Sequence, residues 1–231
     1  MGKLNHIGII IDGNRRWSRK NGLDVWEGHK AGADKVEEVL DWCLEANIPE
    51  VSIYTLSTEN FEKRSKKELG WIFKILLEKF RKLLNDERIY KYDVKVRLCG
   101  DYYKLPNGLV DVMLKLMRRT ARHHKKTLNI LINYGSQWEI TNIIAKIANN
   151  FLIKGKRVQI TPKIIQENLD VKRPLDLIIR TGGEHRLSNF LMFQASYSEI
   201  FFTDTLWPDF SKKEFLKIVK WFKQRKRRFG K

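Results

Sequence analysis

Three short stretches of polar residues in this 231-residue chain each follow an apolar segment. They are DGNRR at 12–16, STEN at 57–60 and RTGGEHRLS at 180–188. Guanidinium groups bind phosphate oxygens through paired hydrogen bonds, and a carboxylate beside phosphates suits Mg²⁺. These residue types predict a site for a phosphorylated ligand together with a metal ion.

In the third stretch, Arg180 and Arg186 flank a Gly-Gly turn, and Ser188 follows two residues later. We expect the two guanidinium groups, the serine hydroxyl and free N–H groups of the turn to contact phosphate oxygens. Arg15 and Arg16 offer a second such group near the start of a helix. A lone arginine pair is usually a solvated surface, but its place beside turn glycines, after buried strands, favours anion binding.

Asp12 has two interpretations: it is a salt-bridge partner of the arginines, or it holds Mg²⁺ together with substrate phosphates. Glu199, beside the last short strand, is a candidate second carboxylate. His29 lies in GHKAG, which is expected to open a helix. There the imidazole is either structural or donates a hydrogen bond to a phosphate group.

Short, continuous apolar runs alternate along the chain with longer segments in which apolar residues recur at helical spacing. This alternation predicts one α/β domain over residues 1–231. The short, β-branched runs predict strands at 7–11, 51–54, 94–98, 128–132, 177–179 and 200–203. Helical spacing of apolar residues predicts helices at 30–46, 66–84, 109–123, 138–149, 164–169 and 215–223. This alternation favours a six-stranded, mostly parallel sheet with helices on both faces.

Ligands bind beyond the carboxyl ends of the strands in sheets of this kind. The three polar stretches follow the first, second and fifth predicted strands, so a parallel sheet would bring them to one edge. The helix after Ser65 is apolar on most sides, so it is either buried or lines an apolar cavity. Glu68 stands at the capping-box position of that helix.

A formal net charge of +18 favours anionic partners, which include nucleic acid, anionic membranes and phosphorylated substrates. The sequence contains no P-loop pattern, no GxGxxG fingerprint and no Asp-Asp pair. It shows no signal peptide, and no uncharged run reaches the roughly 18–20 residues that span a bilayer. We expect a soluble, cytoplasmic protein. This expectation is compatible with contact between the protein and a membrane surface.

Five sequence blocks together resemble the cis-prenyltransferases, a family typified by undecaprenyl diphosphate synthase. They are HIGIIIDGNRRW, GHKAG, LSTENF, LNILINYG and DLIIRTGGEHRLSNFLMFQASYSEIFFTDTLWPDF, and they span residues 6–210 in the family's order. The resemblance implies a hydrophobic product tunnel, a homodimer and a requirement for Mg²⁺. It also implies repeated addition of isopentenyl diphosphate to an allylic diphosphate, farnesyl or geranylgeranyl, with each new double bond cis. The product would be a long-chain, undecaprenyl-like diphosphate that serves as precursor of a glycosyl carrier lipid.

The resemblance also assigns roles to individual residues. Asp12 is the catalytic aspartate and binds Mg²⁺ with Glu199, within one chain or across the dimer, and Asn60 accepts a proton. The residues expected to hold the allylic diphosphate are Gly13, Asn14, Arg15, Arg16 and His29. Those expected to bind isopentenyl diphosphate are Arg180, Arg186 and Ser188, and Leu187 is an expected substrate contact without a specified ligand. Further substrate contacts are expected from Trp17, Ser57, Thr58, Glu59, Phe61 and Arg64, and from Arg228 and Gly230 of a C-terminal Arg-x-Gly motif that reaches a neighbour's site.

Several positions depart from the bacterial pattern. Val25 replaces an arginine, so one expected phosphate contact is missing, and Gln137 stands where many members have arginine. The segment after LSTENF is one residue longer, so either Lys63 or Arg64 matches the family arginine, with Arg64 favoured. Arg15 replaces a bacterial glycine, as in archaeal and eukaryotic relatives, which favours an archaeal-type enzyme that starts from geranylgeranyl diphosphate.

Two other functions compete with this interpretation. The net charge and the basic residues of 212–231 favour a nucleic-acid-binding protein, although such a run is most often a solvated surface and also suits anionic lipid. The enzyme itself would need no nucleic acid. A non-catalytic subunit of a cis-prenyltransferase pair is the other candidate, but such subunits usually lack the DGN block that is intact here. Mg²⁺-dependent release of pyrophosphate distinguishes the enzyme from both.

Overall fold

The chain folds around a parallel sheet in a computed structural model, which describes residues 2–154 and 159–226. Its strands are β1 (His6–Ile10), β2 (Glu50–Ser57), β3 (Val94–Cys99), β4 (Lys126–Tyr134), β5 (Leu177–Arg180) and β6 (Glu199–Phe202). Their order is β3-β4-β2-β1-β5-β6, and every pairing of neighbours is parallel. The predicted six-stranded parallel sheet is therefore confirmed.

Helices lie between consecutive strands, except between β5 and β6, and after the last strand. In chain order they are α1 (Asn14–Lys20), α2 (Val25–Glu45), α3 (Thr58–Lys63), α4 (Lys66–Leu84), α5 (Glu87–Lys91), α6 (Asn107–Arg119), α7 (Ser136–Lys154), α8 (Pro162–Asn168) and α9 (Lys212–Gln224). The predicted helices do not include α3 and α5, which have six and five residues and are too short to show a helical apolar period. The helix start expected near Arg15 is that of α1. Within the described ranges, none of the helices is long and apolar enough to span a membrane.

Helix α2 begins five residues before its predicted start at residue 30. Asp24 and Glu27 form a capping box, in which the N–H group of Asp24 donates to Oε2 of Glu27 at 2.9 Å. His29 therefore lies beyond the first turn of α2. The prediction that GHKAG opens the helix is wrong.

Alternate residues of each strand pack into two different cores, as the period of a strand requires. Ile9 and Ile53 belong to the larger core, which contains side chains of α2, α4, α6 and α9. Ile10 and Tyr54 point to the opposite face and pack in a smaller core that includes Phe190. Because both faces are covered, the strands read in the sequence as continuous apolar runs.

The order of the strands creates a crevice at the carboxyl end of β1. The chain adds β2 on one side of β1 and later adds β5 on the other side, and ligands bind at such a reversal. Asp12 follows β1, Ser57 ends β2 and Arg180 ends β5. The predicted convergence of the three polar stretches at one edge of the sheet is confirmed.

Helix α1 packs closely on α2 because two glycines of α2 leave room for it. A Cβ atom at Gly28 would lie 2.3 Å from the carbonyl oxygen of Asn14, and one at Gly32 would lie 2.3 Å from its Oδ1. Contacts this short do not occur, so α1 would have to move. Since α1 carries Arg15 and Arg16, the two glycines help to position both guanidinium groups.

We expect Gly28→Ala to lower the free energy of unfolding by about 1–3 kcal/mol, because the added methyl group overpacks this contact. Each kcal/mol should lower Tm by roughly 2–4 °C in a chain of this size, which thermal denaturation measures. Gly70→Ala is the matched control: it lies in α4, where nothing is within 4 Å of a new Cβ. Alanine there should stabilise by up to about 1 kcal/mol. Equal effects of the two changes would contradict the packing argument.

Candidate active site

Asp12 lies at the mouth of a cavity, and its carboxylate joins two guanidinium groups. Oδ2 accepts a hydrogen bond from Nη2 of Arg180 at 2.9 Å, and Oδ1 accepts one from Nη2 of Arg16 at 3.1 Å. Oγ1 of Thr181 donates to the Asp12 carbonyl oxygen at 2.8 Å and fixes the backbone. Asp12 is thus a salt-bridge partner, as one interpretation predicted, and it also faces the space where a ligand would bind.

Gly13 allows the chain to turn sharply from β1 into α1. Its φ of +115° lies in the region that favours glycine. A Cβ atom here would also lie 3.0 Å from the Cα atom of Leu206. The glycine after Asp12 therefore brings α1, with Arg15 and Arg16, against the end of β1.

Arg180 is buried and held from several sides. Besides its bond to Asp12, Nη1 donates to Oγ of Ser188 at 2.8 Å and to the carbonyl oxygen of Arg186. Its buried Nε has no hydrogen-bond partner among the described residues. The guanidinium group is therefore rigidly placed next to Asp12 and Ser188, with capacity to bind an anion.

The Gly-Gly turn after β5 does not offer free N–H groups, contrary to the prediction. The Gly182 N–H group donates to the Thr205 carbonyl oxygen at 2.8 Å, and the Gly183 N–H group donates to that of Thr203 at 2.9 Å. Both glycines have positive φ values, 86° and 73°. The glycines shape the turn, and anion binding at this edge falls to the arginines and to Ser188.

Arg186 extends from the turn toward solvent, with 62% of its side chain exposed. Its Nη1 donates to Oε2 of Glu184 at 2.5 Å, and Oε1 of Glu184 lies 4.0 Å from Nη1 of Arg16. Arg186 lines the same cavity as Asp12 and Ser188. An exposed guanidinium group at the rim is free to reorient toward an incoming phosphate.

Glu68 lies at the centre of this cluster of charged groups but was not among the site residues expected from the sequence. Its buried carboxylate accepts from Nε2 of His29 at 3.0 Å and lies 3.6 Å from Nε of Arg64 and 3.9 Å from Nε of Arg15. The only feature of Glu68 noted in the sequence was its capping-box position in α4. The structure agrees with a cap, because Oγ of Ser65 accepts from the Glu68 N–H group at 3.2 Å. The carboxylate itself, however, compensates the positive charge of Arg15 and Arg64.

His29 is a partner of Glu68 in this structure and lines the cavities beside Asp12. Burial lowers the pKa of His29 below its usual value, although the hydrogen bond to Glu68 opposes this shift. Burial likewise lowers the pKa of Arg64, against the attraction of Glu68. Arg64 is half-buried and lines both cavities, whereas Lys63 is exposed and lines only the larger one.

The second polar stretch ends β2 and begins helix α3. Oγ of Ser57 accepts from the Asn60 N–H group at 3.1 Å and caps the helix. Oε1 of Glu59 accepts from Nδ2 of Asn189 at 2.8 Å. Partial burial would raise the pKa of Glu59, but hydrogen bonds, the first of them from Asn189, hold it below its usual value. Ser57, Glu59 and Asn60 all line the cavity.

The large cavity has a volume of about 880 Å³ and continues from the polar mouth into an apolar interior between α2, α4 and the sheet. Its apolar walls include Leu40 and Leu44 of α2, Ile72, Leu76 and Phe80 of α4, and Ile53 and Ile130 of the sheet. A smaller cavity of about 320 Å³ lies beside it and is lined by Ile11, Asp12, Gly13, Asn14, Arg15, Arg16, Arg19, His29 and Arg64. Of the two alternatives predicted for α4, a buried helix or one that lines an apolar cavity, the structure shows the second.

Among the described residues, four predicted substrate contacts do not lie on the walls of either cavity. Nε1 of Trp17 donates to Oδ1 of Asp209 at 2.7 Å, which holds the indole ring against the segment before α9. Phe61 packs against a phenylalanine of α4, with ring centroids 6.2 Å apart. Thr58 and Leu187 are the other two. A role for these residues stays a prediction.

Glu199 does not share a site with Asp12 within this chain. It begins β6 and pairs in register with Leu177 at the start of β5, whereas Asp12 follows the end of β1. Its Oε2 accepts from Nε of Arg225 at 3.1 Å. In the described ranges, no three histidine, cysteine or acidic side chains form a metal-binding group. The predicted Arg-x-Gly motif, with Arg228 and Gly230, lies outside the described residues.

Comparison with known proteins gives matches over nearly the whole chain. A family model described as putative undecaprenyl diphosphate synthase matches residues 10–230. A protein of Pyrococcus horikoshii is 41% identical over 228 residues, covering 97% of this chain and 86% of its own. One of Thermoplasma volcanium is 43% identical over 232 residues, covering 97% and 88%. Both carry the name tritrans,polycis-undecaprenyl-diphosphate synthase (geranylgeranyl-diphosphate specific).

Solved structures share the fold as well. A lavandulyl diphosphate synthase from Lavandula x intermedia, in complex with dimethylallyl diphosphate, matches with a TM-score of 0.93, at 29% identity and over 98% of both chains. A probable undecaprenyl diphosphate synthase from Campylobacter jejuni matches with a TM-score of 0.80, at 32% identity and over the full length of both. The chain therefore belongs to the undecaprenyl diphosphate synthase family and is a prenyltransferase of the cis type.

Proposed function

We propose that this chain condenses isopentenyl diphosphate repeatedly onto an allylic diphosphate in the presence of Mg²⁺. The observation that carries the proposal is that Asp12, Arg16 and Arg180 meet at the mouth of an apolar cavity of about 880 Å³. Diphosphates require positive charge around them, whereas a prenyl chain requires apolar walls. One pocket with both properties suits a substrate with an anionic head and a long hydrocarbon tail.

The allylic diphosphate is proposed to bind in the smaller cavity beside Asp12. When the allylic carbon–oxygen bond breaks, the diphosphate leaves with the electron pair and gains negative charge. Arg15 and Arg16, whose side chains are 49% and 44% exposed, are placed to stabilise that charge, together with Arg64. Glu68 keeps the positive charges of this cluster compensated before the ligand arrives.

Isopentenyl diphosphate is proposed to bind at Arg180, Arg186 and Ser188. Its terminal carbon forms the new bond to the allylic carbon, and a proton is then lost from the carbon atom two bonds from the diphosphate oxygen. That loss creates the next double bond. Asn60 lines the cavity near these groups and is the proposed proton acceptor, with its backbone fixed by Ser57.

The donor set at the mouth fits Mg²⁺. This ion binds proteins through one or two carboxylates and completes its coordination with substrate phosphates and water rather than with a cage of side chains. Asp12 supplies one carboxylate, 31% exposed, among groups suited to diphosphate. When bound there, Mg²⁺ would offset the repulsion between the two diphosphates and the charge of the leaving group. Asp12 is the residue that would hold it within one chain.

We propose geranylgeranyl diphosphate as the starter and a long-chain, undecaprenyl-like product, which would serve as precursor of a glycosyl carrier lipid. The relatives from Pyrococcus horikoshii and Thermoplasma volcanium are named as specific for geranylgeranyl diphosphate. Arg15, typical of archaeal relatives, agrees with this choice. The apolar walls of α2 and α4 are placed to shield the growing chain from water.

The test is to incubate the protein with labelled isopentenyl diphosphate, Mg²⁺ and one of three starters: dimethylallyl, farnesyl or geranylgeranyl diphosphate. Pyrophosphate release and product length are measured, with EDTA as the metal-free control. We expect the highest kcat/KM with geranylgeranyl diphosphate, and no turnover in EDTA. If dimethylallyl diphosphate were used as well as geranylgeranyl diphosphate, the proposed starter would be contradicted. No incorporation of isopentenyl diphosphate with any of the three starters would contradict the proposed function.

A homodimer and contact with a membrane surface are further parts of the proposal. Glu199 lies at the amino end of β6, so it would join a metal site at Asp12 only if a second copy supplied it. The role that the resemblance implies for Arg228 and Gly230, at a neighbour's diphosphate site, likewise requires a second copy. Contact with a membrane would allow the bilayer to receive the apolar product. Sedimentation of the purified protein tests the first of these, and co-flotation with vesicles tests the second.

A further inference from the structure

We propose that Asn189 is a positioning residue that fixes the distance between the isopentenyl diphosphate site and the segment that carries Asn60. This inference rests on the proposed function, because it names a residue that supports that reaction. Asn189 directly follows Ser188 and lines the large cavity. It does not need to touch the reacting atoms to act, since its contacts join three separate segments of the chain.

The first contact links the loop after β5 to α3. Nδ2 of Asn189 donates to Oε1 of Glu59 at 2.8 Å. Glu59 precedes Asn60 in the first turn of α3, and the two partners are 130 residues apart in sequence. This hydrogen bond therefore ties the residue next to Ser188 to the residue next to Asn60.

The second set of contacts links the same loop to the start of α7. Oδ1 of Asn189 accepts from the Gln137 N–H group at 2.9 Å. The backbone carbonyl oxygen of Asn189 accepts from the Ser136 N–H group at 2.8 Å. The approach is so close that a Cβ atom at Gly135 would lie 2.5 Å from Nδ2 of Asn189. Both ends of the Asn189 amide are thus used, one as donor and one as acceptor.

The backbone of the loop depends on these contacts. Ser188 and Asn189 have φ values of 50° and 65°, which L-residues seldom adopt, although asparagine does so more readily than most. The Ser188 carbonyl oxygen accepts from the hydroxyl group of Tyr54 at 3.2 Å, and its Oγ accepts from Arg180. Without the Asn189 amide, the turn would lose the contacts that hold Ser188 opposite α3.

The direction of the hydrogen bond between Asn189, the donor, and Glu59, the acceptor, allows a sharp test. In Asn189→Asp, two carboxylates would face each other, while the new side chain still accepts from Gln137. In the double variant Asn189→Asp/Glu59→Gln, the hydrogen bond returns in the opposite sense, because the new amide donates to the new carboxylate. Side-chain size barely changes in any of these variants. Asn168→Asp is the control, since it adds the same charge at an exposed amide of α8.

The experiment measures kcat, KM for both substrates, and the dissociation constant of isopentenyl diphosphate by calorimetry. We expect Asn189→Asp to lower kcat/KM for isopentenyl diphosphate by roughly 10²-fold, the loss expected for a misplaced reacting group. KM for the allylic diphosphate should stay unchanged. Relative to wild type at the same pH, the activity of Asn189→Asp should partly recover at low pH, where the facing carboxylates share a proton. The double variant should come within a few-fold of Glu59→Gln alone, which reports any loss that comes from Glu59 itself.

Failure of this inference differs from failure of the proposed function. If the double variant is as impaired as Asn189→Asp, or if both substrates lose affinity equally, Asn189 is not a positioning residue. Full activity of Asn189→Asp would overturn the inference as well. A wild-type chain that binds isopentenyl diphosphate without transferring prenyl groups would overturn the proposed function. Calorimetry would still decide whether Asn189 positions the binding site.

Discussion

Asp12→Asn is expected to reduce the rate of prenyl transfer by roughly 10³-fold, because it removes charge that acts in the transition state. Asparagine keeps the shape of aspartate, but only its Oδ1 can accept, so it keeps the hydrogen bond of one arginine and turns its NH₂ group toward the other. It lacks the negative charge that would hold Mg²⁺ beside the diphosphates. Steady-state incorporation of labelled isopentenyl diphosphate at saturating Mg²⁺ measures the effect.

A matched control separates this effect from a loss of structure. Asp34→Asn makes the same change on α2, where the carboxylate pairs with Lys79 and does not line either cavity. Its turnover should stay within about twofold of wild type, since exposed ion pairs contribute little to stability. Wild-type turnover in Asp12→Asn would remove Asp12 from the chemistry.

Arg186→Ala is expected to raise KM for isopentenyl diphosphate by about 10- to 100-fold, with a smaller effect on kcat. Hydrogen bonds to charged groups contribute about 1.5–3 kcal/mol, and each 1.4 kcal/mol changes affinity tenfold. The side chain is 62% exposed, so its loss should leave Tm nearly unchanged. KM is obtained from initial rates at varied concentrations of isopentenyl diphosphate and a fixed concentration of the allylic diphosphate.

The control for this variant is Arg119→Ala, which removes an exposed arginine from the last turn of α6. It changes the net charge by the same amount, so it reports any general effect of charge on substrate attraction. Only Arg186→Ala should weaken the use of isopentenyl diphosphate. Equal KM values in both variants would place the isopentenyl diphosphate site elsewhere.

The sheet and the meeting of the polar stretches could be predicted because they depend on strong local signals. Buried parallel strands read as short β-branched runs, and the carboxyl ends of parallel strands share one edge. The start of α2 also had a signal, the capping pair Asp24 and Glu27. It was missed because the apolar period of this helix is visible only from Val36 onward; Gly28 and Gly32, which precede it, make room for α1.

Glu199 shows a prediction that the sheet itself could have corrected. Asp12 follows a strand and Glu199 begins one, so in a parallel sheet they belong at opposite ends. Other features had no readable signal. The bond between Asn189 and Glu59 depends on positive φ angles in a turn and joins residues 130 positions apart. The ion-pair cluster of Glu68 likewise depends on how α2 and α4 pack.

The most direct test of the account is a crystal structure with Mg²⁺, isopentenyl diphosphate and a non-hydrolysable analogue of geranylgeranyl diphosphate. We predict that the analogue's diphosphate lies beside Asp12 and Arg16, with its tail between α2 and α4. Isopentenyl diphosphate should contact Arg180, Arg186 and Ser188. A diphosphate bound away from Asp12, or a prenyl tail outside the apolar cavity, would contradict the account.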